Sequence, residues 1–190
     1  MTGPEADAER TERLGCSDCE RIREGRLAQP VNALSSLAYV AAAGALLRSP
    51  RAVPGAGRTV FALGLAGVGL GSVAYHGPQP PGAGPMHDWS IAALVGLAVA
   101  TPMVRRSRHR TGFPGWTARR GAAAAGLAVA SAVAYAGGRT SAPTCDPDSP
   151  IQLHGAWHVL SAAAFLVLGR CLYGGAEPVG GSGPSERRAA

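Results

Sequence analysis

Apolar residues along this chain come in long blocks, and the blocks are almost free of charge. Asp88 is the one formally charged side chain between Arg58 and Arg105; none lies between Arg120 and Arg139, or between Asp148 and Arg170. A helix in water carries charge along its wet face. These segments do not, which predicts helices surrounded by lipid. Five spans result: 31–47, 59–76, 85–104, 121–138 and 151–173. Each is near the roughly 17–25 residues that a helix needs to cross a bilayer. The fourth, "GAAAAGLAVASAVAYAGG", is mostly Ala and Gly. Small residues let helix backbones approach closely, so it is expected to be an internal packing helix. The expected fold class is an all-α membrane protein, a bundle of about five transmembrane helices over residues 29–173. Residues 1–28 are polar and lack a signal-peptide core. The Gly-, Pro-, Ser- and Arg-rich tail 174–190 is expected to be disordered.

Composition adds a direction. All 18 basic residues are Arg, and the net charge is +6. A nucleic-acid partner is not expected, because the Arg residues fall in the loops between spans and no aromatic and basic surface accompanies them. With five spans, loops 48–58 and 105–120, the C-terminal end of the fifth span and the tail share one side and hold 12 Arg. The N-terminal segment and loops 77–84 and 139–150 share the other and hold 6, diluted by seven acids before Pro30. The positive-inside rule then places the C-terminus in the cytoplasm and the N-terminus outside, in a cytoplasmic membrane of bacterial type. Cys16, Cys19 and Cys145 fall on the outer side, where disulfides persist. A bridge from the Cys16/Cys19 region to Cys145, with Cys19–Cys145 as the pairing carried forward, is set against the alternative of free thiols.

The polar residues inside the spans then stand out. "GSVAYH" places Ser72 and His76 four apart at the end of the second span, "HDWS" opens the third with His87 and Asp88, and "HGAWH" opens the fifth with His154 and His158. Residues i and i+4 share a helix face. By the loop assignment all of these lie at one end of the bundle, although neither apolar runs nor Arg counts required it. Ionisable groups within a membrane span are costly and point to function. Three neutral imidazoles with one open position make a catalytic zinc site, so His76, His154 and His158 are the expected ligands. Asp88 would orient or deprotonate a water, whose pKa zinc brings to about 7, and Ser72 would help hold an oxyanion. Each part has a plainer reading. A lone H-x-x-x-H is weak, Ser72 alone can bond its own helix, and Asp88 alone can cap a helix start. His87 and His109 read as interfacial residues, and "GLAGVGLGS" as helix packing rather than a phosphate loop.

Taken in this order, S-x-x-x-H, Asp and H-x-x-x-H resemble the CREST superfamily of membrane proteins, which includes alkaline ceramidases and the progestin and adiponectin receptors. The stretch "CERIREGRLAQPVNALSSLAYV", with Cys19, Glu20, Asn32 and Ser35, is similar to the start of alkaline ceramidases. The resemblance runs from Cys19 to about Ser161. It implies a zinc-dependent hydrolase of lipid amides, with His76, His154 and His158 on zinc and Ser72 and Asp88 beside the metal-bound water. It also implies a calcium site drawn from Asp18, Glu20 and Asn32, an expectation weakened by Gln29, which stands where a further acid belongs. Family members usually have seven spans. Loss of a pair between the third and the last leaves the facing of the last helix unchanged.

The leading expectation is therefore a membrane amidohydrolase, using zinc to cleave an amide or ester of a lipid-like substrate. The alternatives are a receptor or sensor with structural zinc, a haem protein with axial histidines, and a transporter. The last is disfavoured, because the polar residues gather at one end of the bundle.

Overall fold

The computed structural model describes residues 17–49, 55–108, 113 and 115–175. Cys16, His109 and nearly all of the tail lie outside them. Helices are the regular elements: α1 (Pro30–Ser35), α2 (Leu37–Leu47), α3 (Ala56–His76), α4 (Ala83–Arg108), α5 (Ala118–Gly137) and α6 (Leu153–Tyr173). Extended backbone pairs in an antiparallel bridge between Asp18 and Arg139. Pro30 at the first position of α1 has no N–H to leave unpaired. The chain passes from α1 into α2 through Ser36 with helical backbone angles, so the expected span 31–47 is one apolar rod with a discontinuity.

Four helices are long and apolar enough to cross a membrane: Pro30–Leu47, Ala56–His76, Ala83–Val104 and Leu153–Tyr173. α5 has the length, but Arg119 and Arg120 in its first turn and its Ala/Gly composition leave it too weakly apolar to join them. Nor is α5 internal. It packs along α6 and on almost nothing else. Ser131 and Ala134 are buried, while Val129 and Val133 are 65% and 68% exposed. Its small residues allow the close approach expected of them, but to a single neighbour.

The centre of the bundle is formed by α2, α3 and α6. Tyr39 and Leu46 of α2, Phe61, Leu65 and Val68 of α3, and Leu172 of α6 interlock there, joined by Leu94 from α4. α4 flanks α3, α5 flanks α6, and α4 and α5 scarcely meet. The outward faces are apolar, with Leu63, Leu70, Val95, Val99, Val129 and Val159 exposed. Water disfavours such a surface and lipid does not.

The polar N-terminal segment is not a loose appendage. It crosses one end of the bundle and buries Asp18, Cys19, Glu20, Ala28 and Gln29. Cys19 is bonded to Cys145 in the α5–α6 loop. The Cys19 N–H donates to the Gly138 carbonyl at 2.9 Å, and Gln29 N–H donates to the His76 carbonyl at 2.8 Å. Arg21 and Asp148 form a two-pronged pair at 2.8 Å each. The segment is thereby fixed over the ends of α3 and α6.

Candidate metal centre

Three histidines meet beneath that segment. His76 ends α3, while His154 and His158 share one face of α6 a helical turn apart. All three are buried. Their ring centroids are 5.1 Å (76–154), 5.2 Å (76–158) and 4.8 Å (154–158) apart. One nitrogen from each lies within 4.8 Å of those of the others. Tetrahedral zinc with bonds of about 2.0–2.1 Å needs nitrogens roughly 3.3 Å apart, so small ring rotations close the set.

The partners of the Nδ1 atoms decide what the Nε2 atoms can do. Gln29 donates its amide Nε2–H to the Glu20 carbonyl at 2.8 Å, which turns its Oε1 toward His76 Nδ1 at 2.7 Å. That oxygen can only accept, so His76 carries its proton on Nδ1. Ser35 and Ser36 both donate their hydroxyls to the Asn32 carbonyl, at 3.0 and 2.7 Å. Their free lone pairs face His158 Nδ1 at 3.0 and 3.3 Å, which fixes the same tautomer there. Asp18 Oδ1 lies 3.1 Å from His154 Nδ1, without the alignment of a hydrogen bond, and Asp18 Oδ2 lies 3.8 Å from His76 Nδ1. His76 and His158 are thus hydrogen-bonded through Nδ1 to oxygen acceptors, and His154 Nδ1 has the Asp18 carboxylate beside it. The three Nε2 atoms are buried and without a hydrogen-bond partner. An orphaned buried polar atom costs about 1–3 kcal/mol, and a metal ion bound by all three would satisfy them. The oxygen partners behind them are the supporting arrangement that metal-ligating histidines require.

Two glycines make this geometry accessible. A Cβ on Gly155 would stand 3.2 Å from both Ser35 Oγ and Val31 Cγ1, so its absence lets α1 bring Ser35 to His158. A Cβ on Gly138 would collide with the backbone nitrogen of His154.

The structure does not bring every expected residue to the trio. Asp88 points outward, with its side chain 82% exposed and Oδ1 3.0 Å from His87 Nδ1. Successive helix residues diverge by about 100°, so when His87 turns inward Asp88 cannot. The carboxylate beside the imidazoles is Asp18 instead. Burial pushes its carboxyl up to about 6, with Arg139 pulling the other way; a dication nearby would add to the Arg139 effect. Ser72 is fully buried on α3, and its Oγ has no partner. Glu20 accepts from the Val31 and Asn32 N–H groups at 2.8 Å each, one with each oxygen. It caps α1 from a distance, and a cation there would compete with that cap. Among the described residues, the histidine trio is the one group of three or more His, Cys, Asp or Glu close enough to hold a metal. His87 is no bare interfacial residue. Its ring stacks on Tyr75 with centroids 4.7 Å apart, and its buried Nε2 is unpartnered.

A cavity of about 630 Å3 lies against the centre, lined by Asp18, Tyr75, His87, Asp88, Tyr135, Arg139, His154 and Trp157 at its polar end and by Ile91, Ala128 and Ala132 along its side. The side residues belong to α4 and α5, the two helices that scarcely touch. No protein-family model matches the chain, and no characterised protein or solved structure matches it either.

Proposed function

We propose that the protein is an integral membrane zinc-dependent hydrolase of the CREST type that cleaves a non-peptide amide, or an ester, in a lipid-like substrate. The observation that carries this is the set of three buried, partnerless Nε2 atoms, each with an oxygen beside its ring's Nδ1. Three histidine ligands favour zinc over metals that prefer all-oxygen shells. A zinc ion held there supplies a water acidified to near neutral pH and a Lewis acid for a carbonyl oxygen.

The chain's own residues supply the rest. Gln29, Ser35 and Ser36 hold His76 and His158 in one tautomer and orientation, and the Asp18 carboxylate lies beside His154 Nδ1. Asp18 lines the cavity and stands on the Nδ1 side of His154, where its carboxylate would raise the basicity of that ligand and orient it. Ser72 Oγ, buried and unpartnered, is a donor available to developing negative charge. The cavity exposes one ligand, His154, together with Asp18, while His76 and His158 stay behind. The gap between α4 and α5 gives an apolar chain a way in from the side. In this account α5 is a fifth, weakly apolar span, and the metal lies toward the outer face.

Asp18→Asn separates a hydrolase from a protein that uses zinc only to hold helices together. That variant is expected to retain zinc while losing much of its amide hydrolysis. Absence of hydrolysis in the zinc-loaded wild type, across amides and esters of long-chain acids, would leave zinc with a structural role.

A further inference from the structure

The cavity contains one permanent cation, and the hydrolase reading does not use it. Arg139 follows α5 and is the one Lys or Arg in the cavity lining. Its Nη1–H donates to Tyr135 Oη at 3.0 Å, and its Cζ stands 5.2 Å from the Tyr135 ring centroid. Tyr135 lies one turn earlier on the same helix, so the guanidinium is aimed by a local brace. Among the described residues Tyr135 is the side chain to which the five-donor fork is bonded. Among the described residues no carboxylate forms an ion pair with it. Its backbone pairs with that of Asp18, and the preceding Gly138 lies against the His154 backbone. Arg139 and His154 thus line the same cavity, on stretches of backbone that lie against each other. A dication together with Arg139 outweighs the carboxylates of Asp18 and Asp88, so the polar end of the cavity attracts negative charge. A neutral lipid amide would leave such a cation idle, and a cationic one would be repelled by it.

We infer that the cavity takes long-chain amides whose polar end carries an anionic oxygen group close to the scissile bond, and that Arg139 selects them. The inference rests on the hydrolase reading for the word amide, but the charge preference can be measured by binding alone. The acyl chain runs along Ile91, Ala128 and Ala132, and the anionic group meets the guanidinium fork, whose planar donors suit carboxylate and phosphate alike.

The test uses N-palmitoylglycine and N-palmitoylglycinamide, which match in length and shape and differ in charge. N-palmitoyl-phosphoethanolamine and N-palmitoylethanolamine form a second pair that tells a phosphate from a carboxylate preference. Binding to the full-length zinc-loaded protein in nanodiscs is read from Trp157, which lines the cavity, in a Trp89→Phe/Trp116→Phe background. At least one anionic amide is expected to bind roughly ten- to a hundredfold tighter than its neutral partner, as a charged hydrogen bond implies. Arg139→Gln is expected to bring that ratio close to one with zinc content unchanged, and Arg139→Lys to keep part of it. A wild-type ratio near one for both pairs overturns the inference, and so does a ratio that survives Arg139→Gln. If Arg139→Gln does not fold, the wild-type ratio and Arg139→Lys decide. Turnover is measured alongside: preferential binding without hydrolysis upholds the charge selection and sinks the hydrolase, whereas hydrolysis without preference does the reverse.

Discussion

Gln29 is fully buried, holds His76 Nδ1 at 2.7 Å and belongs to no metal-binding motif. Gln29→Leu keeps the volume and removes the acceptor. His76 Nδ1–H then has no oxygen to donate to, and no water can take the place of Oε1 in a site where both residues are inaccessible to solvent. A bound dication withdraws electrons from the ring and makes Nδ1–H a stronger donor, so the lost bond weakens the loaded state more than the empty one. Loss of such a supporting partner typically reduces metal affinity about 10- to 100-fold, which is about 1.4–2.8 kcal/mol. Complete burial places the expected loss in the upper half of that range. The assay is a competitive titration of purified protein against a chelator of known zinc affinity, with helical content checked by circular dichroism. Gln29→Glu keeps an oxygen acceptor and is expected to stay within roughly threefold of wild type. If folded Gln29→Leu binds zinc as tightly as wild type, Gln29 does not set the His76 tautomer, and the derivation of three free Nε2 atoms fails with it.

Four further outcomes follow from the same geometry. Asp18→Asn should lower hydrolysis sharply and Asp88→Asn should reduce it by less than about fivefold, measured as kcat, because Asp18 is the carboxylate at the imidazoles while Asp88 stands 82% exposed. Gly138→Ala should lower zinc occupancy in elemental analysis, since its Cβ would displace the His154 backbone. Cys19→Ser or Cys145→Ser should lower Tm, consistent with a loss of roughly 2–5 kcal/mol for an opened long loop, and make wild-type stability sensitive to reductant; the bridge spans 126 residues. Removing zinc with a chelator should lower the Tm of wild type and leave His154→Ala unchanged, because binding to the native state alone stabilises it.

Much of the architecture was legible because lipid imposes a simple rule: charge-free runs of helix length become helices. The expected spans 59–76 and 151–173 meet α3 (Ala56–His76) and α6 (Leu153–Tyr173) within three residues. The gathering of His76, His154 and His158 was legible from i, i+4 spacing and a common bundle end, and the joining of Cys19 to Cys145 from sidedness. The sequence misled where tertiary context decides. The small residues of α5 signalled close packing but could not say against how many neighbours. Helix phase separates His87 from Asp88, and hydropathy cannot tell which of the two turns inward. Asp18, Gln29, Ser35 and Ser36 support the histidines from a polar segment and from the first turns of the bundle. Their role depends on a loop folding back over α3 and α6, which hydropathy does not register. The one available hint was "CERIREGRLAQPVNALSS", too polar to be buried unless its groups had partners.

The most direct measurement is the metal content of the purified protein, wild type against His158→Ala, by elemental mass spectrometry. About one zinc per chain is expected in wild type and well under a quarter of that in His158→Ala, because removing one of three protein ligands leaves two. Wild-type protein free of transition metal after purification without chelators, or a His158→Ala variant with undiminished zinc, would contradict the account at its centre.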